Sequence, residues 1–432
     1  MHPILFRIPL PHTPLRLWWA LVLLAASAAV FAVLARRRAN QAASLGGGVA
    51  ALVLALCAYL FRDVAYEAGS LPIFSFGVML GASLVIGWFW SLRRAEPAGL
   101  SRETVANAFL AAALGALIGA RLIYVLTNLD EFPSFASVFA LRRGGYTLYG
   151  GLLGGLTAVW IALARDRAAL AKYGDVIAPP LALGLALTRV GCWLFGCDFG
   201  ARLGPGAPAW LAKLGRFPHW AGATQDAGEG AGAYLRQRDT LRGTPEGIEL
   251  MTHDVSYPVH PTQIYEVLLG VALLGLALWM QRRASSSEKR AFAPGQTFAV
   301  VVFGYGVVRF LIEFVRDDPD HRGLGPALPL HWMASLGLIA FALASLWMSA
   351  SLKDPKPRLG VRIAAFIPAL IAFLWLKPAS FALPVDVAYS ASQWLALLTA
   401  TAAAYTFNQA NPTTTPPARP KPKSPPTAAE SA

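Results

Sequence analysis

The chain has 432 residues, of which 56% are hydrophobic and only 14% are charged, and its formal net charge is +13. Soluble domains average roughly 45–50% apolar and about 25% charged residues, so the composition argues against a soluble globular domain, a nucleic-acid-binding module and a disordered chain. In a membrane protein, an excess of lysine and arginine first determines topology, so the positions of these residues matter more than their total. We therefore predict an all-α polytopic membrane protein.

Apolar segments recur along most of the chain. A membrane-spanning helix needs about 20 mostly apolar residues, and about eleven segments approach this length. They lie near residues 15–35, 45–62, 71–92, 105–127, 146–164, 175–195, 262–281, 294–315, 330–350, 361–376 and 386–407. The polar stretch 196–261 is long enough to form a small ordered cap. Residues 411–432 are rich in proline, threonine and lysine, which is typical of a disordered tail.

Basic clusters fall in every second connection between these segments. They are Arg36–Arg38, Arg93/Arg94/Arg102, Arg165/Arg167/Lys172, Arg282/Arg283/Lys289/Arg290, Lys353/Lys356/Arg358/Arg362 and, in the tail, Arg419/Lys421/Lys423. The positive-inside rule predicts that all of them are cytoplasmic. The N-terminus then faces outside, the C-terminus faces the cytoplasm, and residues 196–261 form one long extracytoplasmic loop.

Charged residues within or at the ends of the apolar segments are informative, because a charge near mid-bilayer costs about 2.5–3.5 kcal/mol on insertion scales. They are Arg121, Arg189, Glu266, Arg309 and Glu313. Arg121 and Arg189 each lie near the outer end of a segment, where snorkelling to the interface explains either one alone. Several arginines that converge on one leaflet are harder to explain in that way.

Arg309, Glu313 and Arg316 are spaced so that they share one helix face. One interpretation is a self-neutralising ion pair with an interfacial arginine beside it. The other is that this face lines a wet cavity that binds an anionic headgroup, because the planar guanidinium group donates two parallel hydrogen bonds to phosphate.

Two further segments combine polar or small residues with the start of an apolar run. Gly150 and Gly151 lie in a glycine-rich run, which permits either close helix packing or a close approach of the backbone to a ligand. The segment from His260 to Glu266 includes Gln263 and is densely polar for a helix that enters lipid. His260 alone is either a structural hydrogen bonder or a base.

Three cysteines, Cys57, Cys192 and Cys197, are too few for a disulfide framework. A disulfide between Cys192 and Cys197 requires the helix to end near Gly196, since two cysteines five residues apart on a regular helix are poorly placed for a bond. No ligand spacing supports a zinc site.

Taken together and in order, these segments resemble the motifs of the prolipoprotein diacylglyceryl transferase family of bacterial inner membranes, over roughly residues 70–350. The matching stretches are Ser75-Phe76-Gly77-Val78, Gly119-Ala120-Arg121, Tyr149-Gly150-Gly151, Arg189-Val190-Gly191-Cys192 through Gly196-Cys197, His260-Pro261-Thr262-Gln263-Ile264-Tyr265-Glu266 and the helix Arg309 to Arg316. The last four are similar to the family's His-Gly-Gly, its Arg-x-Gly-Asn-x-x-x-Gly-Glu signature, its His-Pro-Ser/Thr-Gln-Leu-Tyr-Glu and its Arg-x-x-x-Glu-x-x-Arg helix.

The resemblance implies a chemistry and a set of roles. The family transfers the diacylglyceryl group of phosphatidylglycerol to the lipobox cysteine thiol of a prolipoprotein, and glycerol phosphate leaves. The implied catalytic residues are His260, Glu313, Arg309 and Arg189. The implied substrate-binding residues are Arg189, Arg309, Arg316, Tyr149, Gly150, Gly151, Arg121, Gln263 and Glu266. The expected partners are the phospholipid, prolipoproteins and the bilayer, and we expect no nucleic acid, cofactor or metal.

Four positions depart from the family pattern: Phe76 replaces a tyrosine, Tyr149 a histidine, and Cys192 and Cys197 the signature asparagine and glutamate. Two other functions therefore stay open, a paralogue that binds headgroups with another acceptor or without catalysis, and a transporter. The resemblance divides the chain into two extra helices in 1–69, a seven-helix core in 70–350, two extra helices in 351–410 and the cytoplasmic tail.

Overall fold

The computed structural model describes residues 4–9, 15–37, 51, 55, 65–66, 70–132, 138, 145–164, 166–219, 231–286, 292–317, 323–350, 354–376 and 386–410. The predicted span near 45–62, apart from residues 51 and 55, and the predicted tail 411–432 lie outside these residues. The chain divides into two compact units, His2–Gly77 and the remainder from Val78 to Ala432.

The first unit combines short strands with one long helix. Strand β1 (Ile4–Pro9) pairs antiparallel with β4 (Ser70–Phe74), and β2 (Leu15–Arg16) pairs with β3 (Ala65–Tyr66). Helix α1 (Leu17–Arg37) follows β2 and ends on Arg36 and Arg37. Its apolar part, Leu21–Leu34, is shorter than the predicted span 15–35.

The second unit is helical almost throughout. Its helices are α2 (Ser75–Ala95, whose first turn belongs to the first unit), α3 (Arg102–Thr127), α4 (Leu148–Ala162), α5 (Arg167–Phe195), α6 (Ala209–Leu214), α7 (Gly232–Thr240), α8 (Pro245–His253), α9 (Thr262–Ser286), α10 (Gln296–Glu313), α11 (Leu330–Ser349), α12 (Pro355–Ala364), α13 (Ile367–Trp375) and α14 (Ala391–Gln409). Strands β5 (Leu328–Pro329) and β6 (Asp386–Val387) form one further antiparallel pair.

Seven stretches of the described residues are long and apolar enough to cross a membrane. They are Ser75–Ala98, Arg102–Thr127, Ala168–Phe195, Thr262–Arg283, Gln296–Glu313, Leu330–Ser349 and Pro355–Trp375. The chain is therefore mostly helical and of multi-pass membrane type, while the number eleven stays a prediction. The predicted span 146–164 corresponds to a shorter apolar helix, Gly150–Ala162. The predicted span 386–407 corresponds to α14, where glutamine and threonine side chains lower the hydropathy.

The all-α prediction omitted the three two-stranded sheets, because four of the strands have only two residues and the other two, β1 and β4, show no strict alternation of apolar and polar residues. The predicted span 361–376, the tenth of the eleven, begins earlier in the structure, at Pro355, and is divided into α12 and α13 around Ala365 and Phe366.

Small residues bring α3 and α4 into close contact. A Cβ added to Gly119 would lie 2.3 Å from the carbonyl oxygen of Gly150, and one added to Gly154 would lie 2.1 Å from that of Gly115. Backbones that approach so closely have no room for side chains at these positions. The glycine-rich run thus packs two helices together.

Helices α5, α9 and α10 form a second packed group. Its core contains small and aliphatic residues from all three helices: Ala178, Ala182, Leu269, Leu273, Ala277 and Val301. Between α5 and α9, the described residues 196–219 and 231–261 form the short helices α6, α7 and α8 around the buried side chains of Phe199, Phe217 and Val259. This ordered cap lies next to the ends of α5 and α10, since Gly200 forms an antiparallel bridge with Arg316.

Candidate active site

Charged side chains from α5, α9, α10 and the turns that follow α5 and α10 meet in a closed ring of ion pairs. Three are arginines and three are carboxylates, and they alternate. In order around the ring, which we call the charge ring, they are Arg189, Glu266, Arg309, Glu313, Arg316 and Asp198.

Glu266 lies between two arginines. Its Oε2 atom is 2.5 Å from Nε of Arg189, and its Oε1 atom is 3.7 Å from Nη1 of Arg309. Arg309 also forms an ion pair with Glu313, one turn later on the same helix. The side chain of Glu266 is only 2% exposed, so this half of the ring is inside the protein.

Arg316 and Asp198 complete the ring. Nε of Arg316 is 3.9 Å from Oε2 of Glu313, and Nη2 is 3.1 Å from Oδ1 of Asp198. Asp198 in turn pairs with Arg189. Each arginine therefore contacts two carboxylates and each carboxylate contacts two arginines, so the formal charges of the ring sum to zero. Buried charges are tolerated when they are paired in this way, whereas an isolated buried ion costs several kcal/mol.

Asp198 is the accessible member of the ring. Its side chain is 32% exposed, compared with 12% for Arg189 and 8% for Arg316. Burial raises the pKa of Asp198, but the positive charges of Arg189 and Arg316 more than offset this and hold the pKa below its usual value. The carboxylate is thus ionised at neutral pH.

The turn after α5 places Asp198 at this point. Gly196 has a positive φ of 80° and ends the helix, with its N–H donating to the carbonyl oxygen of Cys192 over 2.8 Å. The hydroxyl of Thr262 donates to the backbone carbonyl oxygen of Asp198, and the side-chain amide of Gln263 donates to the backbone carbonyl oxygen of Cys197. The start of α9 therefore anchors the turn, and the predicted site residue Gln263 acts here on the backbone. Its own Oε1 atom is buried and has no hydrogen-bond partner among the described residues.

His260 lies next to the charge ring. Its backbone pairs with Gly200 and Ala201, and a Cβ added to Gly200 would lie 2.7 Å from Cβ of His260 and 2.4 Å from the carbonyl oxygen of Val315. Gly200 thus separates His260 from the residue that precedes Arg316. The imidazole Nδ1 is 3.1 Å from the hydroxyl of Tyr265, and burial lowers the pKa of His260 below 6.5. The imidazole of His260 is therefore neutral at pH 7.

The residues predicted from α3 and α4 are placed in a different helix pair. Arg121 donates from Nε to the carbonyl oxygen of Val138 over 2.9 Å and from Nη1 to that of Gly145 over 3.0 Å, so it holds the chain that precedes α4. Gly150 packs on Gly119, and Gly151 packs on Ala116 and Ala120. The backbone of Tyr149 lies in the first turn of α4, and its side chain is outside the described part of the structure. A role for these residues in lipid binding stays a prediction.

Cys192 and Cys197 flank the charge ring as free thiols. Sγ of Cys192 is 3.6 Å from Oδ2 of Asp198, and the two sulfur atoms and the Asp198 carboxylate lie within 4.8 Å of one another. A cation there would face both arginines that already hold Asp198, so the electrostatics disfavour a metal. Hydrogen bonding with Cys192, and then burial, raises the pKa of Cys197 far above its usual value, so this thiol is protonated at neutral pH.

Sequence reasoning missed two residues of the site. Asp198 follows Cys197 directly, one residue beyond the position at which the similar motif has glutamate. Ser390 donates its hydroxyl to Oε1 of Glu313 over 2.8 Å. The Ser390/Gln393 capping box predicts a helix start, but nothing in the sequence predicts the contact with Glu313.

Comparison with known proteins identifies similar sequences over most of the second unit. A family model described as prolipoprotein diacylglyceryl transferase matches residues 63–350. Three relatives are named phosphatidylglycerol–prolipoprotein diacylglyceryl transferase. The one from Clostridium tetani is 24% identical over 258 residues, which cover 60% of this chain and 86% of the relative. The one from Dehalococcoides mccartyi strain 195 is 28% identical over 284 residues (65% of this chain, 90% of the relative), and the one from Neisseria gonorrhoeae is 29% identical over 270 residues (61% of this chain, 87% of the relative). The family match includes the whole charge ring and ends before Ser390.

Proposed function

This chain belongs to the prolipoprotein diacylglyceryl transferase family, and we propose that it transfers the diacylglyceryl group of phosphatidylglycerol to the cysteine thiol of a bacterial prolipoprotein. The observation that carries the proposal is the buried charge ring, which brings three arginines together within the family-matched region. Three guanidinium groups in one place suit a substrate with a phosphodiester headgroup.

The reaction needs a base and a group that stabilises the leaving anion. The acceptor thiol loses its proton, its sulfur forms a bond to the terminal glycerol carbon of the diacylglyceryl group, and the bond from that carbon to the phosphate oxygen breaks. Glycerol phosphate leaves with the electron pair. Arginines aligned on the phosphate stabilise the charge that develops on this oxygen.

The arginines reach the phosphate by exchange of one anion for another. All three are engaged by carboxylates, so a phosphate has to displace one of them. Asp198 is the most exposed carboxylate of the ring, and its displacement frees Arg189 and Arg316 together. On the buried side, Glu266 keeps its ion pair with Arg189, and Glu313 keeps its ion pair with Arg316. Arg309 then acts behind them by fixing both glutamates.

His260 is the proposed general base. Its lowered pKa leaves the imidazole neutral at pH 7, and it lies beside the ring at the start of α9, where an acceptor thiol can approach. Glu313 is the second candidate, but its side chain is 3% exposed and is held by Arg309. We assign Tyr149, Gly150, Gly151 and Arg121 to the lipid on the α3–α4 side.

The proposal includes a location and an orientation. The chain resides in the bacterial inner membrane with residues 196–261 outside, the N-terminus outside and the C-terminus in the cytoplasm. The basic clusters in alternate connections support this orientation. In this division, 70–350 is the transferase core, and 1–69 and 351–410 add two helices each.

The four departures from the family motifs, Phe76, Tyr149, Cys192 and Cys197, favour a second candidate, a protein that binds phospholipid headgroups without transfer. Complementation separates the two. The chain is expressed in cells depleted of their own transferase, and a reporter lipoprotein is analysed by mass spectrometry. Transfer adds the diacylglyceryl mass to the reporter cysteine in the presence of the wild-type chain and not of Arg189→Ala, which removes one of the two guanidinium groups that Asp198 holds for the phosphate. An expressed, membrane-inserted wild-type chain that leaves the reporter unmodified refutes the transferase function.

A further inference from the structure

Helix α14 lies outside the family-matched residues 63–350, yet its N-cap residue, Ser390, contacts the charge ring. We propose that Ser390, at the start of α14, is a positioning residue of the active site, which orients Glu313 and through it Arg309 and Arg316. The inference rests on the proposed transferase function and extends its site to an element beyond the family core.

The helix is fixed directly on α10, which carries Arg309 and Glu313. The amide of Gln393 donates to the carbonyl oxygen of Phe310 over 3.2 Å. A Cβ added to Gly306 would lie 2.9 Å from the carbonyl oxygen of Ala396, so the two backbones are in close contact. The ring of Tyr389 packs edge-to-face on that of Phe310, with centroids 5.2 Å apart. Phe310 itself is fully buried.

The backbone before α14 is anchored as well. The N–H of Leu324 donates to the carbonyl oxygen of Tyr389 over 2.7 Å, and Gly323 forms an antiparallel bridge with Ser390. The hydroxyl of Tyr389 donates to the carbonyl oxygen of Met333 in α11. Ser390 is therefore held by elements on both of its sides, and its position relative to Glu313 is determined by packing.

The hydroxyl of Ser390 makes two hydrogen bonds at once. It accepts from the N–H of Gln393 over 3.2 Å as the N-cap of α14, and it donates to Oε1 of Glu313 over 2.8 Å. Oε2 of Glu313 faces Arg309 and Arg316. A hydrogen bond on one carboxylate oxygen thus sets the rotation of the group and directs the other oxygen at the two arginines. The bound phosphodiester already carries one negative charge, and the second develops on the leaving oxygen only in the transition state, so misaligned arginines affect kcat more than KM.

The two roles of Ser390 are separated by substitution. Ser390→Thr keeps the cap and the donor. Ser390→Asp keeps the cap, because aspartate is a strong N-cap residue, but it has no proton to donate and repels Glu313. Ser390→Ala loses both roles. The matched control is Ser101→Ala at α3, which removes an N-cap serine that accepts from the N–H of Thr104 over 3.0 Å far from the ring.

The experiment measures kcat and KM for phosphatidylglycerol in detergent micelles with a lipobox peptide, together with the melting temperature of each full-length variant. We expect kcat to fall about 10- to 100-fold in Ser390→Ala and Ser390→Asp, the loss expected when a hydrogen bond to a charged group is removed. KM stays within about threefold, since most of the lost alignment is needed only in the transition state. Ser390→Thr and Ser101→Ala retain a kcat close to that of the wild type.

The outcomes distinguish the inference from the function on which it rests. An inactive wild-type chain refutes the transferase function. An active wild-type chain with equal kcat in Ser390→Ala and Ser101→Ala refutes the positioning role alone. A third outcome also refutes the inference: Ser390→Ala loses activity together with a lowered melting temperature, while Ser390→Asp is fully active. In that case Ser390 acts only as a helix cap.

Discussion

Replacement of Arg309 by lysine tests whether the charge ring works through geometry or through charge alone. Arg309 contacts Glu266 and Glu313 at the same time, and its side chain is 7% exposed. Lysine keeps the positive charge, so the ring stays neutral. Its side chain is one bond shorter, however, so the ammonium nitrogen cannot occupy the position of Nη1, the atom through which Arg309 contacts both carboxylates.

The size of the effect follows from the contacts that are lost. Displacement of a catalytic group by about 1 Å can cost about a hundredfold in rate, and each 1.36 kcal/mol corresponds to about a tenfold change in rate. Arg309→Lys is therefore expected to reduce lipidation about 10- to 150-fold. Arg309→Ala leaves the ring with a net charge of −1 and destabilises the fold by about 3–5 kcal/mol. Because whole-protein stabilities are only about 5–15 kcal/mol, the lysine variant is the more informative of the two.

A matched control uses an arginine of the cap. Arg202 pairs with Glu246 over 2.9 Å, but the two side chains are 45% and 51% exposed. An exposed pair contributes about 0–1 kcal/mol, so Arg202→Lys is expected to be fully active. Both variants are assayed by mass spectrometry of a reporter lipoprotein and by thermal unfolding in detergent. Equal, wild-type lipidation by Arg309→Lys and Arg202→Lys would falsify the geometric role of Arg309.

Three further outcomes are expected. His260→Ala is expected to lower kcat more than lipid affinity. Because burial lowers the pKa of His260 below 6.5, the wild-type rate in a pH–rate profile is expected to fall only when the pH drops below that value and the base becomes protonated. An inactive Glu313→Gln with a fully active His260→Ala reverses the order of the two bases. The double variant Cys192→Ser/Cys197→Ser keeps substantial activity, since the acceptor supplies its own thiol and that of Cys197 is protonated; a covalent lipid adduct on either cysteine, detected by mass spectrometry, contradicts this. A cysteine introduced in 225–235 reacts with an impermeant reagent from the outside of intact cells, and labelling only after the inner face is exposed contradicts the orientation.

The elements that the sequence predicted well are those with a strong local signal. Long apolar runs predicted the helices that carry Arg189 and Glu266, and the spacing of Arg309 and Glu313 predicted their common helix face. Arg316, predicted on the same face, lies in the turn after α10 instead, because the helix ends at Glu313. The structure also pairs Arg309 with Glu313, as the ion-pair interpretation required. These features depend on residues within a few turns of one another, so they can be inferred without knowledge of the fold.

Features that depend on long-range packing were not predictable. Asp198 enters the ring only because α5 ends at Gly196 and the following turn is anchored on α9. The contact from Ser390 to Glu313 joins residues 77 positions apart. In each case the decisive partner belongs to another element, which local patterns do not identify.

The closed form of the charge ring has a consequence for the proposed reaction. An arginine held in a low-dielectric site without an anion is costly, so the three carboxylates keep the arginines in place before the substrate binds. Exchange of Asp198 for a phosphate keeps the arginines compensated and adds little new buried charge. Because the ring alternates, that single exchange exposes two arginines together, each still oriented by a glutamate on its other side. Exchange of Glu266 would also expose two arginines, but its side chain is 2% exposed against 32% for Asp198. The difference in access, rather than a difference in charge, therefore selects the point at which the phosphate enters.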